Sequence, residues 1–257
     1  MTQEERRLYL ITELIKENSR YSNIVIPNNE VEQKALLRGL LNVRMPNDIS
    51  KEFLKIQDEY LQEECKSKGI TDLKDLKPIE NDFYLWQGDI TTLKCDAIVN
   101  ACNCDLLGCF YPNHKCIDNA IHTFSGIQLR LACNEIMVKQ GHKEETGMAK
   151  ITLAFNLPCK YVIHTVGPII RGKLTEKDCD LLKSCYISSI EIAEKNHLNS
   201  IAFCCISTGE FHFPKDKASE IAINTVKKYK EKTHSKIKVI FNVFKDKDYE
   251  IYRKLLK

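Results

Sequence analysis

From Pro78 onward the chain alternates short apolar, β-rich runs with longer stretches of helical period, and that alternation restricts it to a layered α/β domain. Strands are predicted at 83–86, 97–100, 151–155, 161–165, 201–206 and 238–244. Helices are predicted over 117–139, open to a break at Gly126, then 178–196, 215–231 and a last turn or two from 248. In such sheets ligands sit outside the carboxyl ends of strands, where loops and helix starts converge. Three loops meet that rule: Gln87-Gly88-Asp89-Ile90-Thr91, Asn100-Ala101-Cys102-Asn103-Cys104 and Ser207-Thr208-Gly209-Glu210-Phe211. A glycine-containing strand-to-helix loop exposes backbone N–H groups able to cradle phosphate oxygens, although a plain turn also explains Ser-Thr-Gly.

The first 80 residues read differently. Leu8, Ile11, Leu14 and Ile15, then Leu36, Leu37, Leu40 and Leu41, then Phe53, Leu54, Tyr60 and Leu61 recur at helical spacing. Thr2 with Glu5 and Asn29 with Glu32 have the arrangement of helix caps, and Pro27, Pro46 and Pro78 punctuate the segments. Of the twelve cysteines, only Cys65 lies in this part; the other eleven fall between Cys95 and Cys205. The expected division is a helical N-terminal extension over 1–80, packed on a domain over 81–257.

Composition excludes more than it selects. With 43% hydrophobic and 28% charged residues the chain is ordinary for a globular protein. A net charge of +3, with no arginine-rich tract, gives no electrostatic footprint for nucleic acid, and Lys227-Lys228-Tyr229-Lys230 reads as a solvated helix face. No apolar run approaches a membrane span and no signal-peptide core follows Met1, so a cytoplasmic location with reduced thiols is expected. P-loop, G-x-G-x-x-G and G-x-S-x-G motifs are all missing, which removes the commonest nucleotide and hydrolase signatures.

The strongest chemical signal is Cys109-Phe110-Tyr111-Pro112-Asn113-His114-Lys115-Cys116, three soft ligands within eight residues. Structural zinc sites close with four protein ligands, whereas catalytic ones use three and leave a position for water or substrate. The spacing C-x4-H-x-C matches no common finger, and the alternative is two buried thiols beside a surface histidine. Cys102 or Cys104 could supply a fourth thiolate and turn the site structural. Asp118 either contacts substrate or caps the helix that starts there. His122, His164 and His212 read as satisfied helix or strand histidines.

Gly88-Asp89-Ile90-Thr91, Asp96-Ala97-Ile98-Val99-Asn100-Ala101-Cys102-Asn103, Tyr161-Val162-Ile163-His164-Thr165-Val166-Gly167-Pro168 and Ser207-Thr208-Gly209-Glu210-Phe211, in this order, resemble the macrodomain family of ADP-ribose-binding proteins over residues 80–245. Leu106-Leu107-Gly108-Cys109 through Cys116-Ile117-Asp118-Asn119-Ala120-Ile121-His122 resembles the zinc-containing bacterial members linked to a sirtuin-type ADP-ribosyltransferase, which also carry a helical N-terminal extension. The resemblance implies a three-layer α/β/α fold with a mixed central sheet. It implies Asp89 as acceptor for the adenine amino group with Ile90 alongside, and Ser207, Thr208, Gly209, Glu210 and Phe211 around the diphosphate. It further implies Asn103 orienting the distal ribose, Cys116, Ile117 and Asp118 against the ligand, Asn103 and Asp118 as the catalytic pair, and one zinc ion on Cys109, His114 and Cys116. The implied activity is zinc-dependent removal of mono-ADP-ribose from protein side chains, through an ester on Asp or Glu. The implied partner is a lipoylated carrier related to the glycine cleavage system. A reader that binds ADP-ribose without cleaving it, with zinc bracing the loop, and a deacetylase of O-acetyl-ADP-ribose stay open beside it.

Overall fold

Three capped helices open the chain. Thr2 and Glu5 form a reciprocal capping box on α1 (Gln3–Lys16), Asn29 accepts from the Glu32 N–H at the head of α2 (Glu30–Val43), and Ser50 accepts from Phe53 on α3 (Lys51–Lys68), which Gly69 ends at φ 85°. Their apolar stripes meet in one buried cluster that includes Leu10, Ile11, Leu14, Leu37, Leu40, Leu41, Phe53, Ile56, Tyr60 and Leu61. The computed structural model describes residues 1–256, so Lys257 of the expected second domain lies outside the described residues.

Two two-residue strands not expected from the sequence, β1 (Thr71–Asp72) and β3 (Leu93–Lys94), pair in parallel. The main sheet holds β2 (Phe83–Gln87), β4 (Ala97–Cys102), β5 (Ala149–Leu153), β6 (Tyr161–Val166), β7 (Ser200–Phe203) and β8 (Lys238–Val243), in the order β2-β8-β7-β4-β6-β5. All pairings are parallel except β5 with β6, so the sheet is mixed. The central strands are apolar on both faces because helices cover both, as Ile98, Val99, Ile201 and Val239 at 0% exposure attest. β4 runs two residues past the expected end because Ala101 and Cys102 still pair with Thr165 and Val166. β7 stops three residues short of 206, where the turn into the next loop begins, and β5 starts two residues early and ends before Phe155, whose φ of 53° cannot continue a strand.

Helix α4 (Ile117–Ser125) and helix α5 (Ile127–Gln140) divide at Gly126, whose φ is 94° and whose missing Cβ would stand 2.7 Å from Gln57 Nε2. They pack on β4 and β5 and meet α2 and α3 beyond. α6 (Glu176–Lys195), capped by Thr175 with Asp178, lies on β5 and β6; α7 (Lys215–Thr233) sits between it and α8 (Asp246–Leu255), which covers β2 and β8. The lysine run on α7 is less idle than expected: Lys227 pairs with Glu80 and Lys230 with Asp82. All twelve cysteines are free thiols, and no helix among the described residues is long and apolar enough to cross a membrane.

Candidate functional site

Parallel strands place their following loops on one edge. Asp89 follows β2, Asn103 follows β4, Gly167 follows β6 and Ser207–Phe211 follows β7. Asp89 caps the 3-10 turn Ile90–Thr92: its Oδ1 accepts from the Thr91 N–H at 3.0 Å and from the Thr91 hydroxyl at 2.7 Å. Its Oδ2 faces Lys68 Nζ of α3 at 3.5 Å, with the carboxylate 37% exposed and Ile90 buried beneath. Gln87 pairs with Val243, so Phe244, 72% exposed, stands at the same edge as Asp89 and offers a planar face for a ring to stack on. Sequence reasoning absorbed Phe244 as the last residue of a strand; only its exposure singles it out.

The loop after β7 is a tight turn held by its own backbone. The Phe213 N–H bonds the Ser207 carbonyl at 2.9 Å, the His212 N–H bonds that of Gly209 at 3.0 Å, and the Thr208 hydroxyl bonds Cys205 O at 3.0 Å. Ser207 and His212 lie at φ 63° and 56°, a conformation that stores strain of ~1–3 kcal/mol each and clusters at functional loops. Among the described residues the N–H groups of Gly209, Glu210 and Phe211 find no protein acceptor, which leaves them for an anion. The buried Ser207 side chain fits only because Gly167 has none: a Cβ there would stand 2.0 Å from Ser207 Oγ. His212 is an exposed loop residue, not the helix or strand histidine expected.

Gly108 at φ 83° and Leu106 at φ 56° turn the chain off β4 into the loop 109–116. Asn103 secures that turn, its Nδ2 donating to Gly108 O at 3.0 Å and its Oδ1 accepting from the Asp105 N–H at 3.0 Å. Cys109 Sγ, His114 Nδ1 and Cys116 Sγ then lie within 4.8 Å of one another, half-buried. Cys109 Sγ stands 3.6 Å from His114 Nδ1, and sulfur and nitrogen ligands on one tetrahedral zinc ion are separated by about 3.6 Å. The other ring nitrogen, Nε2, faces Glu210 at 3.8 Å, the carboxylate-behind-imidazole arrangement common at metal sites. Burial, with Cys109 nearby, pushes the Cys116 thiol up to about 12, so this thiol resists becoming a thiolate until a cation offsets its charge. The residues fit zinc. Neither Cys102 nor Cys104 joins this group; Cys102 is buried and donates to Thr165 O at 3.4 Å.

Cys116 itself is the N-cap of α4, accepting from the Asn119 N–H at 3.4 Å, so Asp118 does not cap the helix. Asp118 is 5% exposed; its Oδ1 accepts from Asn100 Nδ2 at 2.8 Å and stands 3.6 Å from His122 Nε2. Desolvation lifts its carboxyl to about 6, opposed by the Asn100 hydrogen bond and by Arg130. Below it, His164 Nε2 meets the Thr152 hydroxyl at 2.9 Å and Cys133 Sγ at 3.7 Å, and burial holds the imidazole down to about 3. His164 is satisfied as expected, whereas neither ring nitrogen of His122 has a hydrogen-bond partner. Arg130 braces the approach to the loop 109–116, its Nε donating to Leu107 O at 2.7 Å and its guanidinium lying 4.4 Å from the Phe110 ring centre. No motif pointed to Arg130 or to Arg38, whose role depends on contacts across the fold.

The family model for the macro domain matches residues 99–222. A protein-ADP-ribose hydrolase of Treponema medium is 58% identical over 260 positions that cover 100% of both chains. The chain belongs to the macrodomain family. A second protein-ADP-ribose hydrolase, from Staphylococcus aureus strain MSSA476, is 51% identical over 247 residues, 95% of this macrodomain chain and 92% of that one. The crystal structure of the Trypanosoma brucei macrodomain in complex with ADP-ribose superimposes with a TM-score of 0.67 at 28% identity, covering 86% of this chain and 95% of that one.

Proposed function

We propose that this chain hydrolyses the bond between mono-ADP-ribose and a modified protein side chain, with a zinc ion on Cys109, His114 and Cys116 beside the bond that breaks. The full-length likeness to protein-ADP-ribose hydrolases supports the reaction class. The observation that carries the site is the 3.8 Å approach of Glu210 to His114, which brings the amide-rich turn and the ligand loop together. Asp89 and Phe244 hold the adenine, one by accepting from its amino group and one by stacking. The free N–H groups of Gly209, Glu210 and Phe211 take the diphosphate, and Phe211 packs near the distal ribose.

The remaining amide hydrogen of Asn103, with Asp118, Ile117 and Cys116 at the start of α4, orients that ribose against the ligand loop. Zinc, when bound, supplies Lewis acidity that polarises an oxygen or lowers the pKa of a water. An ester on Asp or Glu is the favoured linkage because its carboxylate leaves readily once water is activated, unlike the linkages to arginine or serine. The activity would then reverse a sirtuin-type modification.

The test is release of ADP-ribose from proteins carrying it on aspartate or glutamate, comparing wild type, Cys109→Ala and a chelator-treated sample. A lipoylated carrier of the glycine-cleavage type and an unrelated modified protein serve as parallel substrates. Release by wild type alone is expected, with Cys109→Ala and chelation each lowering the rate by about 10²-fold or more, the scale of losing a transition-state charge stabiliser. Undiminished release after chelation refutes the zinc role; binding of ADP-ribose without release makes the chain a reader.

A further inference from the structure

The eight-residue ligand loop has no ladder of its own, yet its three ligands are tied to a helix nearly eighty residues upstream in the sequence. Arg38 of α2 donates from Nη2 to the His114 carbonyl at 3.0 Å and to Asn119 Oδ1 at 2.8 Å, and from Nε to the same Oδ1 at 3.2 Å. Asn119, fully buried, passes the hold on. Its Nδ2 donates to the carbonyls of Cys109 at 3.4 Å and Tyr111 at 3.1 Å, while its backbone N–H donates to Cys116 Sγ at 3.4 Å. The Arg38–Asn119 pair thus touches all three candidate ligands.

One turn along α2, buried Asn42 accepts from the Asn113 N–H at 3.0 Å through Oδ1 and donates to the Thr123 hydroxyl at 2.9 Å. That contact meets the loop where Asn113 turns left-handed at φ 57°. Between the two, Gly39 lets the loop come close: a Cβ there would stand 3.3 Å from Asn113 Nδ2 and 3.7 Å from Pro112 Cβ. A mid-helix glycine costs about 1 kcal/mol relative to alanine, and the close approach is what that residue provides.

We propose that α2 of the N-terminal extension is a clamp that holds the loop 109–116 in its ligating shape, with Arg38 as the positioning residue. The proposal rests on the zinc reading of Cys109, His114 and Cys116. A loop already ordered loses less conformational freedom when it closes on a cation, so the clamp raises metal affinity without touching metal or substrate. Arginine suits the task because its planar fork reaches the Asn119 amide oxygen and the His114 carbonyl together, which a lysine ammonium cannot do in one geometry.

The test uses the full chain. Zinc affinity is measured by competition with a chromogenic chelator for wild type, Arg38→Met, Arg38→Lys and Asn42→Ala, with circular dichroism to verify folding and calorimetry for ADP-ribose. Arg38→Met is expected to bind zinc ~10- to 100-fold more weakly, the range for removing a group that orients a ligand, while Arg38→Lys recovers part of the loss. Asn42→Ala, which leaves Arg38 in place, is expected to weaken zinc binding by a smaller factor and serves if Arg38→Met does not fold. ADP-ribose affinity of the folded variants is expected to stay within about 2-fold of wild type, since α2 acts through the metal loop and not on the nucleotide. Wild-type zinc affinity in a folded Arg38→Met, with or without a lower melting temperature, overturns the clamp and leaves the zinc reading standing. A wild-type chain that binds no zinc overturns both, and one that binds zinc but releases no ADP-ribose overturns the proposed activity alone.

Discussion

His164 and His122 are buried imidazoles whose neutral form is enforced by desolvation, first of all, and for His122 also by Arg130. Above about pH 6.5 both are neutral folded or unfolded and have no effect on stability; as pH falls below that value the unfolded chain takes up protons that the native one refuses. Asp118 acts in the opposite sense, because its raised native pKa of about 6 lets the folded chain bind a proton before the unfolded one does. That gain offsets one of the two histidines between about pH 6 and 4. Urea midpoints at pH 7.5 and 5.0 should therefore fall with acidification, His164 alone accounting for about 2 kcal/mol of the loss. The drop should shrink in His164→Gln, and an unchanged drop would assign the effect to other groups. At Gly167 the argument is steric: Gly167→Ala puts a Cβ 2.0 Å from Ser207 Oγ and 2.9 Å from Ile206 Cγ2. The expected result is a destabilisation of ~1–3 kcal/mol by overpacking and weaker ADP-ribose binding, read by thermal melting and calorimetry.

Helix α5 begins at a glycine that has no side chain to cap it, and the extension supplies the missing group. Gln57 of α3, fully buried, accepts from the Ile127 N–H at 3.0 Å through Oε1 and donates to Gln128 Oε1 at 2.7 Å. Replacing it by an apolar residue of similar length leaves a buried N–H unsatisfied. Gln57→Leu should cost about 1–3 kcal/mol, measured by urea denaturation, and should speed hydrogen exchange at the start of α5. A stability equal to wild type would show that water or a neighbour replaces the cap. The sequence foresaw the break at Gly126 and the caps at Thr2 and Asn29, because those are local devices. It could not foresee Gln57 as a cap, since the donor lies 70 residues away.

Two apolar clusters build the molecule, yet Ile127 of α5 belongs to the cluster of α1, α2 and α3. Asp58 accepts from Gln128 and Asn156, and Gln62 donates to Asn156, so α3 is bonded to two segments of the α/β body. Arg38 and Asn42 add the hold on the loop 109–116. The extension and body should then unfold together. Fluorescence of Trp86 in β2, the single tryptophan, and hydrogen exchange in α1 to α3 should report the same free energy; an extension that exchanges at much lower free energy would make it a separate unit.

By itself the sequence determined the strands of the main sheet, the long helices, their order and the three loops proposed to carry chemistry, because hydrophobic period, capping residues and the C-x4-H-x-C spacing are properties of neighbours along the chain. It left open whether Asp118 caps a helix, whether Cys102 or Cys104 joins Cys109, His114 and Cys116, and what the first 80 residues do. Those answers depend on which side chains meet across the fold. Cys116 fills the cap position that Asp118 was offered, and Cys102 turns into the core because β4 runs on to pair with β6. Only packing of α2 and α3 against α4 and α5 sets Arg38 at the loop 109–116, through contacts that close 76 to 81 residues of chain and leave no local trace.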